Sequence, residues 1–154
     1  MRQPILAQHV WVLVCDARKS LLLQNMGDHI YPKLELRHAM EHQVNRSSAL
    51  GADAPGRTIS SADGRRASVD QGDPHLDEER NFLHGVVQDL THRVERRELE
   101  NLIIVAPPRA LGLLRDLMGE QLKKNVSAEI AHDYVKLPLY EIEKRLTQAP
   151  TVTV

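Results

Sequence analysis

Two short runs without a polar side chain constrain this sequence more than anything else in it. They are Val10 to Cys15 (Val-Trp-Val-Leu-Val-Cys) and Leu102 to Ala106 (Leu-Ile-Ile-Val-Ala). Short, β-branched runs that lack polar alternation suit strands buried on both faces. Two such strands require a sheet with helices on both sides, which is an α/β architecture. The second run follows a helical pattern, so it predicts a central strand parallel to the first and adjacent to it. A length of 154 residues fits one domain. Aromatic residues make up only 3% of the chain, leaving the core to Leu, Val, Ile and Ala.

The remaining elements follow from local chemistry. Asp16-Ala17-Arg18-Lys19 supplies turn residues, and Ser20 to Gln24 predicts a second strand, hairpin-paired to the first. Ile30 to His38 predicts a third, at a sheet edge because Pro32 lies near its start. From about 40 to 73 the periodicity lapses, and four of the chain's eight glycines fall there: Gly51, Gly56, Gly64 and Gly72. So long a connection is either a functional loop or a floppy insertion, and its lack of apolar anchors predicts mobility over Val44 to Gly72. Asp73-Pro74 then opens a helix reaching about Glu98, with Leu83, Val86, Val87, Leu90 and Val94 on one stripe. Pro107-Pro108 ends the second apolar run and starts another helix, with Gly112 allowing close packing and Gly119 as its C′ residue. Gln121 to Lys124 adds a helical turn, Val126 to Ala131 a half-buried strand, and Pro138 to Leu146 a last helix. Residues 148–154 read as a frayed tail to a domain spanning 1–147.

Charge and composition exclude several classes of function. With 20 basic and 21 acidic residues the chain has no global basic field for nucleic acid or membrane. Its single cysteine excludes an intrachain disulfide framework and any multi-cysteine metal site. No apolar run approaches the roughly 20 residues of a membrane span, and Gln8 and His9 interrupt what a leader would need. A cytoplasmic location without a membrane partner is the expectation.

Chemistry-bearing residues are few. Asp16, at the end of the first strand, could hold a divalent metal if Glu129 or Asp133 lay near, or it could cap its own turn. His38 and His42 would share a helix face, but in an order unlike zinc-protease signatures, and no metal or other cofactor is expected. Cys15 sits in a buried strand, where a thiol is inert. Arg65 and Arg66 follow Gly64 in the long loop, flanked by Asp63 and Asp70. The most distinctive stretch is Ala106-Pro107-Pro108-Arg109-Ala110-Leu111-Gly112-Leu113-Leu114-Arg115. It puts Arg109 beside a helix N-terminus at the carboxyl end of a central parallel strand, where α/β sheets place ligand sites and anions are favoured. Arg115 would add a second cation. The competing reading is a structural strand-to-helix turn with its arginines merely solvated or ion-paired.

These residues carry a resemblance. The Ala-Pro-Pro-Arg-x-Leu-Gly stretch, with Pro55-Gly56-Arg57, Asp73-Pro74, Asp77-Glu78-Glu79, Phe82, His132-Asp133-Tyr134 and Leu137-Pro138, resembles the bacterial host attachment family over most of the chain. In the loop, Thr58-Ile59-Ser60-Ser61 departs from the family pattern. The order β-β-β-loop-α-β-α-β-α also resembles the middle domain of archaeal and eukaryotic peptide-chain release factors, without their Gly-Gly-Gln. That likeness implies a single-domain, mixed five-stranded, ribonuclease-H-like sheet with helices on its faces. Taken together, the expectation is a non-catalytic interaction module contacting RNA, ribosome or a protein partner. It would use the long loop (Gly56, Arg57, Arg65, Arg66) and the Pro-Pro-Arg edge (Arg109, Arg115). The alternatives are a metal-dependent nuclease or hydrolase on Asp16 and Asp133, and an indirect factor in attachment to host cells.

Overall fold

The computed structural model describes residues 6–42, 74–148 and 152–153. In chain order these form β1 (Trp11–Cys15), β2 (Lys19–Asn25), β3 (Leu34–Glu41), α1 (Pro74–Glu95), β4 (Leu102–Ala106), α2 (Pro108–Leu117), α3 (Glu120–Lys124), β5 (Val126–Ala131), α4 (Leu139–Gln148) and β6 (Val152–Thr153). All strands join one sheet in the order β3-β2-β1-β4-β5-β6. The pairs β1–β4 and β4–β5 are parallel and the others antiparallel. The tail is not wholly outside the fold, since β6 pairs with β5. The expected mobility of Val44 to Gly72 lies outside the described residues.

The two apolar runs are neighbours, as their composition predicts. Trp11, Val12, Leu13 and Val14 register with Leu102, Ile103, Ile104 and Val105, and every residue of both strands is buried. Alternation along each strand divides the core. Trp11, Leu13, Cys15, Leu102 and Ile104 meet Leu83, Leu90, Leu111, Leu114 and Leu122 of α1, α2 and α3 on one face. Val12, Val14, Ile103 and Val105 meet Ile142 and Leu146 of α4 on the other. Among the described residues, three helices therefore cover one side and one covers the other.

β3 departs from its expected span of Ile30 to His38 at both ends. Its start is delayed because Asp28 builds a turn: Asp28 Oδ1 accepts from the Ile30 and Tyr31 amides at 2.9 and 2.8 Å. The same amides hold the Asp28 carboxyl below its usual range. The strand then runs past His38 because its pairing restarts in a new phase. Leu23 pairs with Leu36 but Leu22 pairs with His38, so Arg37 is an extra residue, a β-bulge. One inserted residue exchanges the faces. Leu34 thus packs on the α4 side, whereas Met40 packs on the α1 side.

Helix ends also differ from expectation. α1 stops at Glu95 rather than Glu98, because Arg97 adopts φ 61°. The Arg97 amide then donates to Val94 O and the Glu98 amide to Arg93 O, a Schellman closure with arginine in the position glycine usually takes. Gly119, expected to close α2, has φ −85° and instead precedes α3 as its N-cap.

At the amino end of the sheet, one side chain replaces a missing set of backbone pairs. Asn25, fully buried, donates from Nδ2 to Leu6 O (2.6 Å), Ala7 O (3.1 Å) and Asp28 O (3.3 Å). Its Oδ1 accepts from the Gly27 and Lys33 amides at 2.9 and 2.8 Å. The chain folds over it so tightly that a Cβ on Gly27 would lie 2.1 Å from Tyr31 O. Asn25→Ala should strand several of these buried groups at a cost of about 3 kcal/mol or more. Urea denaturation reads that loss directly, and a change below about 1 kcal/mol would mean that water replaces the side chain.

Candidate functional site at the carboxyl edge

The parallel strands β1, β4 and β5 all end on one edge of the sheet, and β3, antiparallel to β2, ends there too. The start of α1 reaches the same edge: His42, just after β3, lies 3.8 Å from Glu78 and meets the Phe82 ring edge-on. The apolar strands hold no charge in their interiors, so polar groups gather at their ends. Asp16, Arg18 and Lys19 follow β1, Arg109 follows β4, and His132, Asp133 and Lys136 follow β5.

Asp16 serves its own hairpin. Its Oδ1 accepts from the Arg18 and Lys19 amides, each at 2.8 Å, and its amide donates to Lys19 O. That is the turn-capping alternative to a metal ligand. Glu129, another expected carboxylate, is buried against Arg115 and far from that role. Among the described residues no three His, Cys, Asp or Glu side chains lie close enough together to hold a metal ion. His38 and His42 share the α1 side of a strand and its extension rather than a helix face, because the period there is two.

The Pro-Pro-Arg stretch forms the strand-to-helix turn that the prolines dictate. Pro107 is the N-cap of α2, extended at φ −62° and ψ 157°, without a side-chain cap bond, and Pro108 is the first helical residue. Arg109 keeps 62% of its side chain in solvent, with Nη2 3.0 Å from Glu79 Oε1 on α1. This is a charge contact without hydrogen-bond alignment, since Glu79 Oε1, itself buried, has no hydrogen-bond partner. Arg115 points elsewhere. Its Nε and Nη2 both reach Glu129 Oε1 on β5, Nε at 2.8 Å. The two arginines therefore do not form the expected cationic pair; each has its own carboxylate. Gly56, Arg57, Arg65 and Arg66, the expected loop contributors, lie outside the described residues.

Two further features of this edge bear on what it does. A Cβ placed on Gly112 would meet nothing within 4 Å among the described residues, so packing against them does not explain this glycine. Cys15 is buried beneath Asp16 and Asp133, and burial, with those two carboxylates, pushes its thiol up to about 12. A thiol so raised is no nucleophile near neutral pH.

This is an α/β module of one mixed sheet, its polar groups gathered where the parallel strands end. The family model described as "Protein required for attachment to host cells" matches residues 11–146, and the chain belongs to that family. No curated protein matches it. No helix among the described residues is long and apolar enough to cross a membrane.

Two measurements follow from this geometry. Gly112→Ala should stabilise the protein by about 0.5–1 kcal/mol, the usual gain in a helix interior; a loss instead would reveal crowding at that face. Cys15 should make stability fall as pH rises: the unfolded thiol ionises near its ordinary value of 9.0 while the folded one stays protonated to about 12. Between those values the loss approaches ~1.4 kcal/mol per pH unit, and it should be absent from Cys15→Ala, so that the stability difference between the two proteins changes with pH. Parallel alkaline denaturation curves for the two proteins would contradict it.

Proposed function

We propose that this protein is a non-catalytic interaction module that engages an anionic surface, of RNA, ribosome or a protein partner, through the carboxyl edge of its sheet. The observation that carries the proposal is the state of Arg109. Its guanidinium stands mostly in solvent, at the start of a helix with no side-chain cap, held by one imperfectly aligned carboxylate contact. The contact holds no aligned hydrogen bond, so an incoming phosphate or carboxylate would compete with Glu79 for a guanidinium that already stands mostly in solvent. Arg109 and the backbone amides of the first turn of α2 would then face the same anion. The connection 43–73, which carries Gly56, Arg57, Arg65 and Arg66, lies between β3 and α1 in the sequence and enters the proposal by sequence alone.

The sheet order β3-β2-β1-β4-β5, with three antiparallel strands before the alternating helices and strands, supports a ribonuclease-H-like reading of the fold. The release-factor resemblance adds no residue to the proposal, since Gly-Gly-Gln does not occur in the sequence. A metal-dependent nuclease or hydrolase would have to begin from Asp16 and Asp133, and Asp16 already spends Oδ1 on two backbone amides. The family's attachment role fits an indirect effect of such a module as readily as a direct one.

Binding to ribosomes and to bacterial RNA, with and without ribonuclease, tests the reading through one pair of variants. Arg109→Ala should weaken binding about ten- to a hundredfold, the worth of a charge-assisted contact. Glu79→Gln removes the competing charge and should tighten binding severalfold while lowering stability slightly. If both variants lower the melting temperature and neither changes binding, the Arg109–Glu79 contact is only a tie between α1 and α2, and the proposal fails.

A further inference from the structure

Among the described residues, α4 is the one helix on its side of the sheet, and part of that side is not covered by it. Ile142 and Leu146 of α4 pack over the central strands, and Glu143 accepts from the Leu34 amide at the start of β3. The opposite corner, where β2 begins and β3 ends, is an open groove of about 830 Å³. Its floor is Leu21 and Leu36, the latter 49% exposed, and its wall is the segment from Val135 to Leu139 that leads into α4. Three cations stand around this apolar surface: Arg18, Lys19 and Lys136. Asp16 and Glu41 also line it, so the cations outnumber the carboxylates by one, and Asp16 turns Oδ1 to the backbone amides of its own hairpin. Arg93, Arg109, Arg115 and Arg145 each have a carboxylate at ion-pair distance, whereas among the described residues none of these three does.

We propose that the groove is a binding site for a free, monomeric anionic amphiphile, a molecule with an aliphatic body and one carboxylate or phosphate head. The body would lie on Leu21 and Leu36 against Leu137 and Leu139, and the head would sit among Arg18, Lys19 and Lys136. The volume falls within the range of small-molecule sites, which join a mostly apolar lining to a few orienting polar groups. The floor is the face of a sheet, offering side chains rather than free backbone groups, so recognition rests on apolar burial and head-group charge. Neither Arg109 nor Glu79 takes part, and the inference stands or falls apart from the proposed function.

The test titrates the full chain with octanoate, decanoate and dodecanoate below their micelle concentrations, read by methyl NMR, and with dodecyltrimethylammonium as a cationic match. Shifts should centre on the methyls of Leu21, Leu36, Leu137 and Leu139. Affinity should rise about three- to fourfold per added methylene until the groove is filled. Dodecanoate should bind at least about tenfold more tightly than its cationic counterpart, a margin typical of one retained charge contact. Leu36→Asp should abolish binding, and the surface reversal Lys136→Glu should erase the head-group preference even if Leu36→Asp does not fold. Equal binding of both head groups, affinity independent of chain length, or shifts centred elsewhere would overturn the proposal. Binding to phosphatidylglycerol vesicles without binding of monomeric dodecanoate would overturn it as well.

Discussion

The parallel pairing of β1 with β4 is the constraint from which the rest of this structure follows. Ten consecutive-strand residues with no charge among them, all buried, must be covered on both faces. Apolar surface removed from water is worth roughly 25 cal/mol per Å², and both strands are buried at every position. α1, α2 and α3 supply one cover and α4 the other. The same constraint decides where chemistry can occur. Strands without polar side chains cannot present a functional group along their length, so every candidate residue sits at an end or on a connection.

Uneven cover is the second consequence. Among the described residues three helices cover one side from β2 to β5, while α4 reaches the start of β3 on the other side but leaves Leu36 half exposed toward its end. Leu21 and Leu36 are what that shortfall leaves half exposed, and the cations of the β1–β2 hairpin border them. The β-bulge at Arg37 contributes directly. Without it, β3 would continue in one phase, and Met40 and His42 would turn toward the groove instead of toward Met40's present neighbours in the α1 core. By reversing the alternation, the bulge closes one face with Met40 and leaves Glu41 at the rim of the other.

Much of this architecture was legible because it rests on local rules. Continuous apolar runs mark central strands, Pro107-Pro108 marks a strand-to-helix turn, and Pro32 marks an edge. What escaped the sequence depends on pairing across long separations. The bulge is set by the register of β3 on β2, which no local pattern near Arg37 records. Asn25 looks like any turn residue until the chain on either side is folded around it, from Leu6 to Lys33. Gly112 looks like a packing glycine because it interrupts an apolar stripe, yet its face is open. At the candidate site, Arg109 could be placed from the turn alone, but its partner Glu79 lies thirty residues earlier on α1, and neither spacing nor charge pattern joins them.

The two arginines of α2 show how burial of the partner, rather than the arginine itself, divides structural from available charge. Glu129 projects from β5 with 9% of its side chain exposed, and a carboxylate so enclosed must keep a cation or lose its charge. Arg115 answers that demand with two donors on one oxygen, and removing it would leave Glu129 uncompensated. Glu79 retains 24% exposure, but the Oε1 that faces Arg109 is buried and meets the guanidinium without hydrogen-bond alignment. One arginine is therefore held by two donors on an enclosed carboxylate, and the other by a single contact without hydrogen-bond alignment. The same helix thus sets Arg115 on an enclosed carboxylate of β5 and Arg109, mostly in solvent, beside Glu79 of α1.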